Sequence, residues 1–186
     1  MNCQTKFAAV LFAILVIFLS ASCEKEETQL SPIHTIYAPG DQEFGFVVGE
    51  KDGRRWEGSS YWSRRIDDSN RINLFLETFE QGTGFERESL FIGNLLLLNG
   101  LYQVIPRNAN DMSPDSHQSS YFLLTADGDA VVGGLHIDST RNNFVIIESV
   151  DSTTGNITGT FELYYELDGI PRLSFENCRF EARQLE

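Results

Sequence analysis

The sequence predicts an all-β fold, an antiparallel sandwich or small barrel of about seven to nine strands, after a signal peptide and a flexible tether. Three observations predict it. Apolar and polar residues alternate with period two in segment after segment from residue 43 onward. Gly, Asn and Asp turn residues separate these segments at spacings of roughly 8 to 15 residues. No stretch after residue 40 carries a convincing helical period. The expected organisation is a lipoprotein signal peptide over residues 1–22, a lipidated cysteine and tether over 23–40, and one all-β domain over 41–186.

The N-terminus begins with one positive charge, Lys6, and continues with an apolar run from Phe7 to Leu19. Ser20, Ala21 and Ser22 then precede Cys23. This order is that of a secretory signal peptide. The run of 13 residues is well short of the roughly 20 that span a bilayer as a helix. The stretch Leu19-Ser20-Ala21-Ser22-Cys23 resembles a bacterial lipobox, with serine rather than leucine three places before the cysteine. The resemblance implies lipidation of Cys23, where each buried CH₂ of the attached chains contributes about 0.8 kcal/mol to membrane retention. Lys25-Glu26-Glu27 resembles the short signal of surface-exported lipoproteins, and it serves equally well as a solvated tether. Outer-membrane anchoring, at the cell surface or on the periplasmic face, is the expectation.

Cleavage after Ser22 leaves 13 basic and 27 acidic residues, a net formal charge of −14. So acidic a chain repels nucleic acid and anionic lipid, which excludes nucleic-acid binding. Cys3 departs with the signal and Cys23 carries lipid, so Cys178 has no disulfide partner. About 145 residues can bury a sufficient core without one.

Residues 24–40 hold Ser31-Pro32 and Pro39-Gly40 among polar residues and read as the tether. Strands are expected at Glu43–Val48, Arg71–Phe79, Ser89–Leu98 and Tyr121–Thr125. The run Leu95 to Leu98 has a helical alternative, but its length and the following Asn99-Gly100 favour a strand or a short turn of helix. Residues 106–119 are expected to form a long polar loop. Phe144–Val150, Asn156–Glu166 and Pro171–Ala182 should form an antiparallel meander, with Asp168-Gly169 as a two-residue hairpin turn. In the last of these, Leu173 and Phe175 have one parity and Cys178, Phe180 and Ala182 the other. A β-bulge near Glu176-Asn177 reconciles the two halves.

Three groups of residues carry a family resemblance. They are Phe44-x-Phe46-Val47-Val48-Gly49 followed by Trp56, Leu98-x-Gly100-x-Tyr102, and Gly155-Asn156-Ile157-Thr158-Gly159-Thr160-Phe161-Glu162-Leu163. A closing Leu173-Ser174-Phe175-Glu176-Asn177-Cys178-Arg179-Phe180 completes the pattern. With these the chain resembles small all-β lipoproteins of Bacteroidota-type bacteria. It departs from them at Leu101, where threonine is frequent, and at Cys178, where glycine is. The resemblance implies fold and location and brings no catalytic residue.

No catalytic constellation is legible. There is no Gly-x-Ser-x-Gly elbow and no Gly-rich loop opening a helix, and Cys178 lies in a strand pattern. Carboxylate pairs such as Glu86 with Glu88, or Glu162 with Glu166, read as the acids of a wet strand face. His34, His117 and His136 lack neighbouring ligands, so no metal or other cofactor is expected. Asp127-Gly128-Asp129 reads as a turn, because Ala130-Val131-Val132 add no oxygen ligands to a calcium loop. The densest local feature is Arg54 to Arg65, which holds both tryptophans and four of the 13 basic residues. Tyr61, Trp62, Arg64 and Arg65 are its candidate ligand-binding residues, combining aromatic faces with guanidinium forks for a sugar ring or an anion. The plainer alternative puts Trp56 in the core and pairs the arginines with Asp67, Asp68 and nearby acids. Asp138-Ser139-Thr140 and Asp151-Ser152-Thr153 resemble a three-residue O-glycosylation signal, with Ser139 and Ser152 as acceptors.

The expected function is therefore that of a non-catalytic, lipid-anchored module binding a glycan or an envelope protein. The alternative is a lipocalin-like barrel holding a small apolar ligand, which would line its interior with both tryptophans.

Overall fold

The computed structural model describes residues 44–80, 83–106, 116–125, 127–128 and 130–185. The expected signal peptide, Cys23, the tether, His34, Asp129 and most of the polar loop at 106–119 lie outside the described residues. The described chain is all-β. Its strands are β1 (Gly45–Lys51), β2 (Arg54–Arg64), β3 (Arg71–Phe79), β4 (Glu86–Leu96) and β5 (Gly100–Ile105), then β6 (His117–Leu124), β7 (Val131–Ile137), β8 (Phe144–Val150), β9 (Ile157–Leu167) and β10 (Ile170–Gln184).

These ten strands form one sheet that closes into a ring. β1 to β4 follow one another as antiparallel neighbours, and β6 joins the far edge of β4. Two routes connect β6 to β9. Near the start of β6 the link runs through β5 and β8, with Val104 opposite His117 and Phe144 opposite Glu162. Farther along it runs through β7, with His136 opposite Glu166. β10 then pairs with β9 and with β1, which completes the circuit.

The expected meander is β8–β9–β10. Its turn is Asp168-Gly169, whose φ values of 52° and 76° are the pair of left-handed conformations that a tight hairpin demands. Pairing in β10 jumps from Phe175 opposite Leu163 to Cys178 opposite Phe161, with Asn177 at φ 52°. The bulge keeps Phe175, Cys178 and Phe180 all facing inward. Three strands exceed the expected set, namely β2, β5 and β7. β4 ends at Leu96, so Leu97 and Leu98 of the expected strand lie beyond it, and β6 starts at His117, inside the segment expected to be loop.

The ring's interior is the core. Trp56 and Trp62 stand six residues apart on β2, so they share a face, and that face is inside. Trp62, Tyr165, Phe161 and Phe175 are the largest fully buried side chains. Gly159 makes one close approach possible, because a Cβ there would stand 2.0 Å from the Ile146 carbonyl oxygen and 2.7 Å from the Phe180 ring.

Candidate functional site

Two side-chain groupings go beyond ordinary strand packing, one inside the ring and one outside. The inner one centres on Glu88 of β4, which shares the interior face with Leu90 and Ile92. Trp56 Nε1 donates to Glu88 Oε2 at 3.0 Å, and Thr78 Oγ1 donates to the same oxygen at 3.1 Å. Tyr121 OH donates to Oε1 at 2.8 Å, and Lys51 Nζ forms an ion pair with that oxygen. The Lys51 ammonium also lies 5.6 Å from the centre of the Tyr121 ring. Burial pushes its pKa down to about 8, partly offset by the charge of Asp52. A carboxylate has about four lone-pair sites, and four donors meet them here. The cluster is satisfied from within, so it acts as a polar plug between strands rather than as an open receptor.

The outer grouping lies on the opposite face of β2, β3 and β4. Phe75 of β3 is opposite Tyr61 of β2 and Phe91 of β4. Tyr61 and Phe75 stack at 4.9 Å with planes 11° apart. Phe44 closes one end of the row at 5.1 Å from Tyr61, and Phe91 closes the other at 5.3 Å from Phe75. All four rings are half-buried. The adjacent row runs Phe46, Ser59, Glu77, Ser89 and Phe122 across β1, β2, β3, β4 and β6. Tyr61 OH donates to Glu77 Oε1 at 2.6 Å. Burial pushes the Glu77 carboxyl up to about 7; the nearby Glu86 adds to this, and hydrogen bonds from Tyr61 and Ser89 oppose it. Burial raises the half-buried Glu86 as well. Among the described residues neither acid has an ion-pair partner.

The four candidate ligand residues do not form one surface. Tyr61 belongs to the outer row. Trp62 is only 1% exposed, and its Nε1 donates to the Gly155 carbonyl at 2.8 Å, so it offers no face to a ligand. Alternation along β2 is the reason: Tyr61 points out and Trp62 in. Arg64 is exposed and donates to the Ser69 carbonyl at 2.6 Å. Arg65 holds Asp67 through two bonds, at 2.8 and 2.5 Å, and Arg71 pairs with Asp68 at 3.3 Å. Trp56 in the core and Arg65 on Asp67 match the plainer of the two alternatives.

Glu86 and Glu88 do not share a wet strand face. The pairing of β4 with β3 shifts between Thr78 and Phe79, which leaves Glu88 inside with Thr78 and Glu86 outside. His117 Nδ1 bonds to the Asn94 carbonyl at 2.8 Å, and His136 is exposed on β7. Ser139 and Ser152 are both exposed in turns. Asp138 Oδ1 accepts from Thr140 N at 2.9 Å, and Asp151 Oδ1 accepts from Thr153 N at 2.8 Å. Aspartate and threonine thus build each turn and leave the serine outward.

Sequence reasoning missed Phe75, Phe91, Glu77 and Ser59. A signal existed in the two phenylalanines, each of which sits out of phase with the buried Leu74-Leu76 and Leu90-Ile92 pairs around it. Trp56 and Trp62 both face the interior, as the alternative of a barrel holding a small apolar ligand expects, and they share it with Tyr165, Phe161 and Phe175. In comparison with known proteins, no family model matches the chain, and no curated protein or solved structure matches it.

Proposed function

We propose that the mature chain is a non-catalytic glycan-binding lipoprotein, anchored to the outer membrane through Cys23, displayed at the cell surface, and contacting its ligand with the outer face of β2, β3 and β4. The observation that carries this reading is the row Phe44–Tyr61–Phe75–Phe91, four half-buried rings in succession on the exterior of a strongly acidic protein. The two end rings are tilted by 57° and 59° against their neighbours, so the row presents faces as well as edges. Aromatic faces pack against the C–H side of a sugar ring, and the Glu77 carboxyl group of the next row offers an acceptor to its hydroxyls. The lipobox-like Leu19 to Cys23 supports the anchor, and Lys25-Glu26-Glu27 supports surface display. Exposed Ser139 and Ser152 in Asp-Ser-Thr turns are, on the same reading, O-glycosylation sites, and glycopeptide mass spectrometry of native protein checks them.

The test is a glycan array with the detergent-solubilised lipoprotein, paired with a pull-down from native envelopes. A retained glycan whose binding weakens about tenfold in Phe75→Ala supports the reading, since an aromatic contact is worth about 1 to 1.5 kcal/mol. Retention of no glycan, or equal binding by Phe75→Ala, overturns it. Globomycin should make the uncleaved precursor accumulate, and Cys23→Ala should release the protein from the membrane fraction; normal processing under globomycin, or unchanged fractionation of Cys23→Ala, refutes the anchor.

A further inference from the structure

Ser59 is 1% exposed, and its Oγ has no hydrogen-bond partner. A buried hydroxyl left unpaired forfeits its hydration without compensation, so its persistence calls for a reason. The hydroxyl sits directly opposite Phe46 on one side and Glu77 on the other, so its side chain shares the outer face with both. Glu77 is 7% exposed and bonded to Tyr61, and Glu86 acts on it electrostatically. Neither acid has a basic partner among the described residues. Phe46, 37% exposed, borders the same spot.

Two desolvated acids, an orphaned hydroxyl acceptor and flanking aromatic rings share one chemical complement, a hydrogen-bond-donating cation on an apolar stem. Among the described residues no group of three His, Cys, Asp or Glu could hold a metal ion. A primary ammonium suits the face better, because its three donors match the Glu77 and Glu86 carboxylates and Ser59 Oγ while its carbons meet Phe46 and Tyr61. We propose that this spot is an ammonium subsite, and that the glycan taken by the outer face carries an unsubstituted amine, as a deacetylated amino sugar does. The inference rests on the glycan-binding reading above.

The experiment titrates the detergent-solubilised lipoprotein with a glucosamine oligomer and with its fully N-acetylated counterpart, at a pH where the amines are protonated. Charge-assisted hydrogen bonds are about twice as strong as neutral ones, so the aminated oligomer should bind about tenfold more tightly. Glu77→Gln should abolish the preference. Ser59→Ala should weaken the aminated oligomer severalfold without lowering the melting temperature, because that hydroxyl has no protein partner to lose; a merely structural serine would not separate the two readouts. Equal binding of both oligomers overturns the ammonium subsite and leaves the glycan reading standing. Survival of the preference in both Glu77→Gln and Glu86→Gln overturns the subsite likewise. If neither oligomer binds, the glycan array decides the glycan reading and n-butylammonium chloride decides the subsite. Shifts in Phe46 and Tyr61 ring resonances that n-butanol does not produce sustain it, and their absence overturns it.

Discussion

Replacing Glu88 with alanine removes the shared acceptor of four donors at once. Trp56 and Tyr121 are each 5% exposed and Thr78 2%, so none of them can turn to bulk water. Lys51 keeps 27% of its side-chain surface and can partly rehydrate. Breaking a buried ion pair from one side costs about 3 to 5 kcal/mol, and each orphaned neutral donor about 1 to 3. Water entering the vacated space from the Lys51 side recovers part of the sum, which leaves a loss of about 3 to 5 kcal/mol. For a chain of this length that lowers the melting temperature by roughly 6 to 20 °C. Glu88→Gln keeps one acceptor oxygen and should lose about half as much. Urea unfolding followed by tryptophan fluorescence measures both, with Trp56 reporting from the cluster itself. Pairing Glu88→Leu with Lys51→Met should recover much of the loss, because an apolar pair of similar volume carries no desolvation cost. If Glu88→Ala unfolds within about 0.5 kcal/mol of the parent, as a surface substitution would, the interior placement of Glu88 is refuted.

Glu77 predicts a pH dependence of opposite sign to that of most carboxylates. Its folded carboxyl lies near 7, above the ordinary value of 4.5, so the folded state holds the proton more tightly than the unfolded chain. The resulting stability is fully present below about 4.5 and is lost as pH rises through 7. Thermal melts at pH 5 and pH 8 should show a decline of about 1 to 3 kcal/mol in the parent relative to Glu77→Gln, and an equal response in the two proteins counts against a buried Glu77. Cys178 is buried and its thiol pushed up to about 12, so an aromatic disulfide reagent should modify it only as the protein unfolds. Gly49→Ala places a Cβ 2.3 Å from Cys178 Sγ, and should lower urea stability by about 1 to 3 kcal/mol. Asn177→Val forces a β-branched residue to φ 52° at the bulge and should destabilise by about 1 to 2 kcal/mol, whereas Asn177→Gly should not.

The parts of the fold legible in the sequence are those where one face is dry and the other wet. β9 alternates Ile157, Phe161, Leu163 and Tyr165 with polar residues because its two sides meet different media. The phase change in β10 is legible for the same reason, since a strand that must bury Phe175 and Phe180 together needs an extra residue between them. β2 is not legible as a strand, because Gly58-Ser59-Ser60 interrupts its alternation and arginines crowd both ends. β7 hides behind Gly133-Gly134, and β5 is a short run between Asn99-Gly100 and Pro106. Glu88 reads as solvated because it sits between Arg87 and Ser89, with partners 10 to 37 residues away. Only register across β1, β2, β3, β4 and β6 brings those five residues together.

The same register decides where a ligand can meet this protein. Both tryptophans and the four-donor carboxylate are spent on the interior, where the Glu88 carboxylate is met on both oxygens by its neighbours. An aromatic residue in phase with the buried set contributes to packing, and one out of phase must be covered by something else. Tyr61, Phe75 and Phe91 are all out of phase and all in register. Beside them, among the described residues, stand two acids without counter-ions and one hydroxyl without a partner. A sheet selected only for stability would place threonine or lysine at such positions, where they cost nothing in solubility. The outer rows of β2, β3 and β4 instead keep apolar rings, acids without counter-ions and one unpaired hydroxyl side by side, an arrangement whose free energy improves when a molecule with an apolar face and a donor arrives.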